Sequence, residues 1–287
     1  SEKSIKSVNN SPSLFDEFQA DGQEISKNAT LDSLKTVEHN YQLIENQEEA
    51  RKLCDFLLTN EKVSFDTETT STDAIDAELV GLSFAVKEFE AWYVAVPADR
   101  TEAQQMVEIF RPLYENPNIM KIGQNIKYDY EVLRGYGVDV QGELFDTMLA
   151  HYIIQPELRH NMDYMAETLL HYQTIHIEEL IGPKGKSQKN MRDINPQDAY
   201  EYAAEDADVT LRLKNALEPK LKEVGGEKLF HDIEMPLVKV LADMEINGVR
   251  LDTNSLKDTQ KQFTERMLQY EKHAFEEAGE EFNISSP

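Results

Sequence analysis

Three β-rich runs lying close together, at residues 62–66, 79–86 and 92–96, constrain this chain more than any other feature. They read as a three-strand meander. Apolar residues at helical spacing follow over 101–114 and halt at Asn116-Pro117, and residues 119–123 read as a fourth strand. From there to about residue 218 the pattern is largely helical. Strands that come first with helices around them make a mixed α/β sheet with covered faces. Upstream, Asn46 stands three residues before Glu49, a helix-start signature, and Ala50, Leu53, Cys54, Leu57 and Leu58 follow at helical spacing. Asn195-Pro196 opens a long helix with an N-cap and a proline at its first position. It ends near Gly225-Gly226, and two further helices, about 227–246 and 255–277, flank the turn Asn247-Gly248.

Composition narrows the function classes. The 287 residues carry a net charge of −25, which argues against coating nucleic acid through a broad basic face but leaves room for a local site. Hydrophobic residues make up 40%, enough for a substantial core. The single cysteine, Cys54, lies on the apolar stripe of its helix and is read as core packing; it excludes an intrachain disulfide and suits a reducing, cytoplasmic compartment. No apolar run spans a membrane, and the polar first residues are not a secretory signal. Residues 1–37, with one apolar island at Leu14-Phe15 and Phe18, read as a flexible linker or tail.

Three segments carry the chemistry. Asp66-Thr67-Glu68 ends a strand, and residues two apart point to the same face. Acid-x-acid is common by chance in so acidic a chain. Here, however, both acids follow Val63-Ser64-Phe65, and burying carboxylates is costly without compensation. Gln124-Asn125-Ile126-Lys127-Tyr128-Asp129 follows the fourth strand and opens a helix on which Asn125 and Asp129 share a face. The bland reading makes Asn125 a helix cap and Asp129 a solvated acid. Tyr202 and Asp206 lie four apart on the long helix, while Glu205 and Asp208 beside them read as a solvated acidic face. Carboxylates with no cysteine cluster and no ligand-spaced histidines favour Mg²⁺ or Mn²⁺ over structural zinc.

These segments, in this order, resemble the three exonuclease motifs of the bacterial family A DNA polymerases. The resemblance runs over about residues 40–287, and Ile233-Glu234-Met235-Pro236-Leu237 through Asn247-Gly248-Val249 looks like the opening of that family's polymerase domain. It implies a ribonuclease-H-like mixed β-sheet flanked by helices. It also implies a proofreading 3′→5′ exonuclease of the DEDD type, tyrosine subclass, over residues 38–220, and the first helices of a polymerase domain over 221–287. The chain stops before the family's palm and fingers motifs, so the expected form is a piece of a polymerase that removes 5′-mononucleotides but incorporates none. By the resemblance, Asp66, Glu68 and Asp206 bind a divalent cation that activates water, Asp66 bridges to a second, and Asp129 acts on the second through water. Tyr202 orients the nucleophile as a neutral hydrogen-bonding group, since a free tyrosine titrates near pH 10. The implied partner is the single-stranded 3′ end of DNA, met by a monomer that is normally fused to a polymerase.

Further substrate contacts are expected at Asn125, and at Thr72, where the family often carries an apolar wedge. Ile177 falls where the family places the partner of that wedge. Lys127 is read either as a phosphate contact or as a local ion pair. Residues 182–192 hold Lys184, Lys186, Lys189 and Arg192 with no acid, and read either as a phosphate-binding loop or as a solvated one; the family's Gly/Lys-rich loop favours the former, with Lys127 and Arg159 as the fallback. Two rival functions remain open at this level: a catalytically silent DNA-binding spacer, and an RNA-trimming exonuclease resembling ribonuclease D.

Overall fold

A computed structural model describes residues 31–185 and 187–285. The island at Leu14-Phe15 and Lys186 lie outside the described residues. Of the described residues, those from 31 to Asp243 form one compact unit and those from Met244 to 285 a second.

The chain opens with β1 (Asp32–Ser33), β2 (Asn40–Ile44) and α1 (Gln47–Leu57), followed by the meander β3 (Lys62–Thr69), β4 (Leu79–Lys87) and β5 (Glu90–Ala95). Next come α2 (Arg100–Tyr114), β6 (Met120–Gly123), α3 (Ile126–Gly135), β7 (Leu144–Asp146) and α4 (Thr147–Ile154). The helix α5 (Met162–Met165) runs on into a π-helical turn, Ala166–Leu170, before β8 (Tyr172–Gln173) and α6 (Ile177–Ile181). The long α7 (Pro196–Glu223) is followed by α8 (Glu227–Leu229), α9 (Met235–Asn247) and α10 (Thr253–Ala278).

Six strands form one mixed sheet in the order β2-β5-β4-β3-β6-β7. The β3–β4 and β4–β5 pairs are antiparallel, as the meander requires, while β2–β5, β3–β6 and β6–β7 are parallel. This is the expected mixed sheet flanked by helices. Strand alternation divides its faces. Phe65 and Phe84 are register partners and pack on α2, with Phe84 stacked on Phe110 at 4.8 Å and Phe65 edge-on to Tyr114 at 5.2 Å. Asp66 and its partner Ser83 therefore turn to the other face. There α7 lies across β2 to β5, bringing Ala203, Ala204 and Ala207, all fully buried, against the sheet.

Several elements differ from the sequence expectation. Order begins before residue 38: β1 pairs in parallel with β8, and Leu34 is buried behind it. The stretch after residue 123, expected to be helical, contains β7 and β8, strands of three and two residues that are too short to show alternation. The expected boundary at 220/221 falls inside α7. Leu221, Phe230, Met235, Val238 and Ala242 join the same core as the sheet, so the first compact unit runs on to Asp243. The helix expected over 227–246 is widened into a π-turn at Phe230–Glu234, just before Pro236, which has no N–H to continue the ladder.

Candidate active site

The first pair of acids sits where β3 is distorted. Asp66 opposes Ser83 and Glu68 opposes Gly81, but Thr69 opposes Leu79, so a bulge follows Glu68 and re-aims the strand end. Gly81 is required there. A Cβ on it would lie 2.1 Å from the Tyr93 ring, which occupies the space beside Glu68. Asp66 keeps some exposure, whereas Glu68 is buried.

The third segment reaches the same place from α7. Ligand oxygens of Asp66, Glu68 and Asp206 all lie within 4.8 Å of one another. Tyr202, one turn earlier, has its hydroxyl engaged with the Asp206 carboxylate. Burial and this neighbouring charge hold the phenol well above its usual range, so Tyr202 is neutral.

Asp129 comes from α3. Its Oδ1 accepts from the Thr67 N–H at 3.0 Å and from the Thr67 hydroxyl at 2.6 Å. The residue between the two β3 acids thus fixes the fourth. Asp129 is buried, so the solvated reading of it is overturned. Asn125 does not cap α3 either: it is left-handed, φ 58° and ψ 46°, and its side chain makes no cap bond.

Burial raises the pKa of every acid in the group. Asp66 is pushed up to about 6, and Glu68, Asp129 and Asp206 are driven well above the carboxylate range by burial and then by the Asp66 charge. Glu68 Oε1 is buried and accepts no hydrogen bond. A buried oxygen with no donor, inside a cluster of hard oxygen ligands, fits a cation as the missing partner.

A cleft of about 590 Å³ adjoins Glu68. Thr72, Asn125, Ile177 and Lys189 line it, so residues from three separate segments of the sequence come together there. Lys127 takes the local alternative, with Nζ 3.7 Å from Glu131. Lys184 is highly exposed and lies 4.0 Å from Glu178. Arg192 leaves the expected cationic loop altogether: its guanidinium donates to the carbonyls of Val96, at 2.6 Å, and Leu79, tying the loop to the sheet.

Sequence reasoning missed two contributors. Tyr128 lines the cleft, and its hydroxyl is bonded to the Thr69 hydroxyl and the Ser71 carbonyl, which fastens the segment carrying Thr72 to α3. Its position three residues after Asn125 placed it on the same helix face. Asp146 accepts from the Asn125 and Ile126 N–H groups at the start of α3, and the Asp-Thr start of α4 was the available signal.

Glu205 and Asp208, read as a solvated face, are both fully buried. Glu205 accepts from the Tyr172 hydroxyl and the Ile175 N–H, both at 2.6 Å. Asp208 accepts from the Tyr41 hydroxyl at 2.8 Å and the Phe89 N–H at 2.6 Å, with Arg212 Nη1 3.6 Å away.

Comparison with known proteins places this arrangement. Residues 41–222 match a family described as 3′-5′ exonuclease. The chain is 38% identical over 284 residues to DNA polymerase I of Pseudomonas aeruginosa, covering 95% of this chain and 31% of that one. It spans less than a third of the length of the curated relatives it matches. In fold it is similar to the POL domain of Pol1 from M. smegmatis in complex with DNA primer-template and dNTP. That likeness has a TM-score of 0.70 at 20% identity and covers 85% of this chain and 39% of that one. It is also similar to Brucella melitensis NrnC with bound Mg²⁺, with a TM-score of 0.57 at 18% identity, over 74% and 95% of the two chains. The matched span holds all three acidic segments and the sheet that assembles them, and the chain belongs to the 3′-5′ exonuclease family of the A-type DNA polymerases.

Proposed function

We propose that this chain removes 5′-mononucleotides from the 3′ end of single-stranded DNA by metal-assisted phosphodiester hydrolysis. The observation that carries the reading is the convergence of Asp66, Glu68 and Asp206, with one Glu68 oxygen buried and without a donor, beside a cleft that Glu68 lines. Those three acids, with Asp129 behind them, would hold two divalent cations, Mg²⁺ or Mn²⁺. When bound, such ions supply activation of water and neutralisation of charge on the phosphate.

The chain's own groups do the rest. The Tyr202 hydroxyl, neutral and already directed at Asp206, orients the attacking water by a hydrogen bond and does not take its proton. Thr67 holds Asp129 in one rotamer through two bonds, so the fourth acid does not have to be ordered when substrate arrives. Asn125 offers its side-chain amide to the strand, while Thr72 and Ile177 form the cleft wall for the terminal nucleotide. Thr72 is a less apolar wall than leucine or phenylalanine would be and gives a looser grip on the base. Lys189, at the cleft, and the exposed Lys184 beside Glu178 meet phosphates of the incoming strand.

The segment 221–287 is proposed as the start of a polymerase domain to which this unit is fused, and the working form as a monomer. Among the described residues no helix is long and apolar enough to cross a membrane.

Timed digestion of 5′-labelled and 3′-labelled DNA single strands tests the reading, with RNA of the same sequence in parallel. The expected result is stepwise shortening from the 3′ end with Mg²⁺ or Mn²⁺, and none in excess EDTA. Undiminished cleavage in EDTA would falsify the mechanism. Digestion of RNA with DNA left intact would replace the substrate by that of a ribonuclease D-like enzyme, and no digestion of either would leave the silent spacer.

A further inference from the structure

The turn between β6 and α3 carries Asn125, and two residues from elsewhere grip all four of its positions. In the parallel β6–β7 ladder Gly123 is the register partner of Asp146. Asp146 Oδ2 accepts from the Ile126 N–H at 2.8 Å, and Oδ1 accepts from the Asn125 N–H at 3.3 Å. The same Oδ1 caps its own helix, accepting from Met148 N–H at 2.8 Å and Leu149 N–H at 3.2 Å. Thr147 completes the grip: its hydroxyl donates to the Gly123 carbonyl at 3.2 Å and is bonded to the Gln124 side-chain carbonyl. One buried carboxylate therefore caps α4 and also holds the first N–H of α3 and the N–H of the residue before it.

The consequence falls on Asn125. Its left-handed backbone is uncommon outside glycine, asparagine being among the residues that adopt it most readily, and the bonds to Asp146 hold it there. Asp146 holds the Asn125 and Ile126 N–H groups, and the Asn125 side chain makes no cap bond and lines the cleft. We propose that Asp146 is a positioning residue for substrate, holding the Asn125 backbone so that its amide faces the strand. The inference rests on the reading above that Asn125 contacts the strand.

Asp146→Asn separates the two roles of the carboxylate. Asparagine is a good N-cap, so its oxygen keeps Met148 and Leu149 and its NH₂ group is left opposing the Ile126 N–H. Asp146→Ser does the same with a side chain too short to reach α3. Affinity for a fluorescein-labelled single-stranded DNA is measured in Ca²⁺ by anisotropy, with kcat and KM measured in Mg²⁺. Each variant, and Asn125→Ala, is expected to weaken binding and raise KM about fivefold, the equivalent of one amide hydrogen bond, with kcat within about twofold. In the Asn125→Ala background, Asp146→Asn is expected to add nothing further. Asn125→Ala at wild-type affinity would sink the substrate reading of Asn125 and this inference with it. A weakened Asn125→Ala beside a wild-type Asp146→Asn would sink this inference alone, as would additive effects in the double variant. Unfolding of both Asp146 variants at the assay temperature would assign the residue to structure only.

Discussion

Two faces of α7 each bring an aspartate and a glutamate together, the front glutamate coming from β3, and do opposite things with them. Asp206 turns to β3, and Asp208 lies about 200° further round the helix. Both are buried, as are Glu68 and Glu205 on their respective sides. The back pair is fully provided for: Tyr41, Phe89, Tyr172 and Ile175 donate hydrogen bonds, and Arg212 pairs with Asp208 while stacking on the Phe89 and Tyr172 rings, 4.4 Å from each. The front cluster has three carboxylates within 4.8 Å, the Tyr202 hydroxyl, and a buried Glu68 oxygen with no donor. Burial is common to both faces, so burial does not mark the site. The shortage of donors does: the back acids are complete as they stand, and the front acids repel one another until something positive arrives.

The largest effects should separate the faces by what is lost. Asp206→Ala removes a cation ligand, and ligation supplies several kcal/mol of transition-state stabilisation. A fall of about a thousandfold in kcat is expected, with the metal-free melting temperature unchanged or raised because a repulsive charge is gone. Asp208→Ala should do the reverse. It leaves Arg212 buried without its ion-pair partner, a loss of about 3–5 kcal/mol of stability in denaturant titration, while the folded fraction keeps its activity within a few-fold. Equal losses of activity from the two substitutions would erase the distinction.

The pH dependence sharpens the same contrast. The folded value of Asp66 is about 6, against an ordinary value of 3.8. Between those values the folded protein binds more protons than the unfolded chain, so its contribution is intact below about pH 4 and is lost as pH rises through 6. The loss is on the order of 3 kcal/mol for the metal-free protein. Unfolding of wild type and Asp66→Asn at pH 4 to 8 should show the wild type falling more steeply. Added Mg²⁺ should restore the wild type alone at the upper end.

Smaller effects concern the groups around the acids. Tyr202→Phe keeps the ring and removes one hydrogen bond to a charged group, about 1.5–3 kcal/mol, so kcat should fall by about ten- to a hundredfold, less than for Asp206→Ala. A variant at wild-type rate would remove the hydroxyl from the mechanism. Smallest is Lys184→Ala with Lys189→Ala. Affinity should drop a few-fold, and the slope of log affinity against log salt should flatten by about 1.4 for two single-strand phosphate contacts. An unchanged slope would shift the phosphate contacts to Arg159.

How much of this was legible beforehand follows from how local each signal is. The meander, α2 and α7 announce themselves through alternation, helical spacing and the Asn195-Pro196 start, and their limits fall within a few residues of expectation. The four acids and Tyr202 were named because each sits in a short motif. The identity of donors was not legible, since Tyr41 is 167 residues from Asp208 and Ile175 is 30 from Glu205. From sequence the two faces of α7 are one acidic stretch, and only long-range partners distinguish them. Arg192 shows the same limit. It looked like a phosphate contact inside a cationic loop, and its carbonyl partners at Leu79 and Val96 are about a hundred positions away.

Calorimetric titration of the metal-free protein with Mn²⁺ tests the contrast between the faces most directly. Two ions per chain are expected at most, with protons released on binding because the front acids hold them above their ordinary range. Asp66→Ala should abolish the heat and Asp208→Asn should leave it unchanged. Absence of Mn²⁺ binding by the wild type, or undiminished binding by Asp66→Ala, would contradict the account.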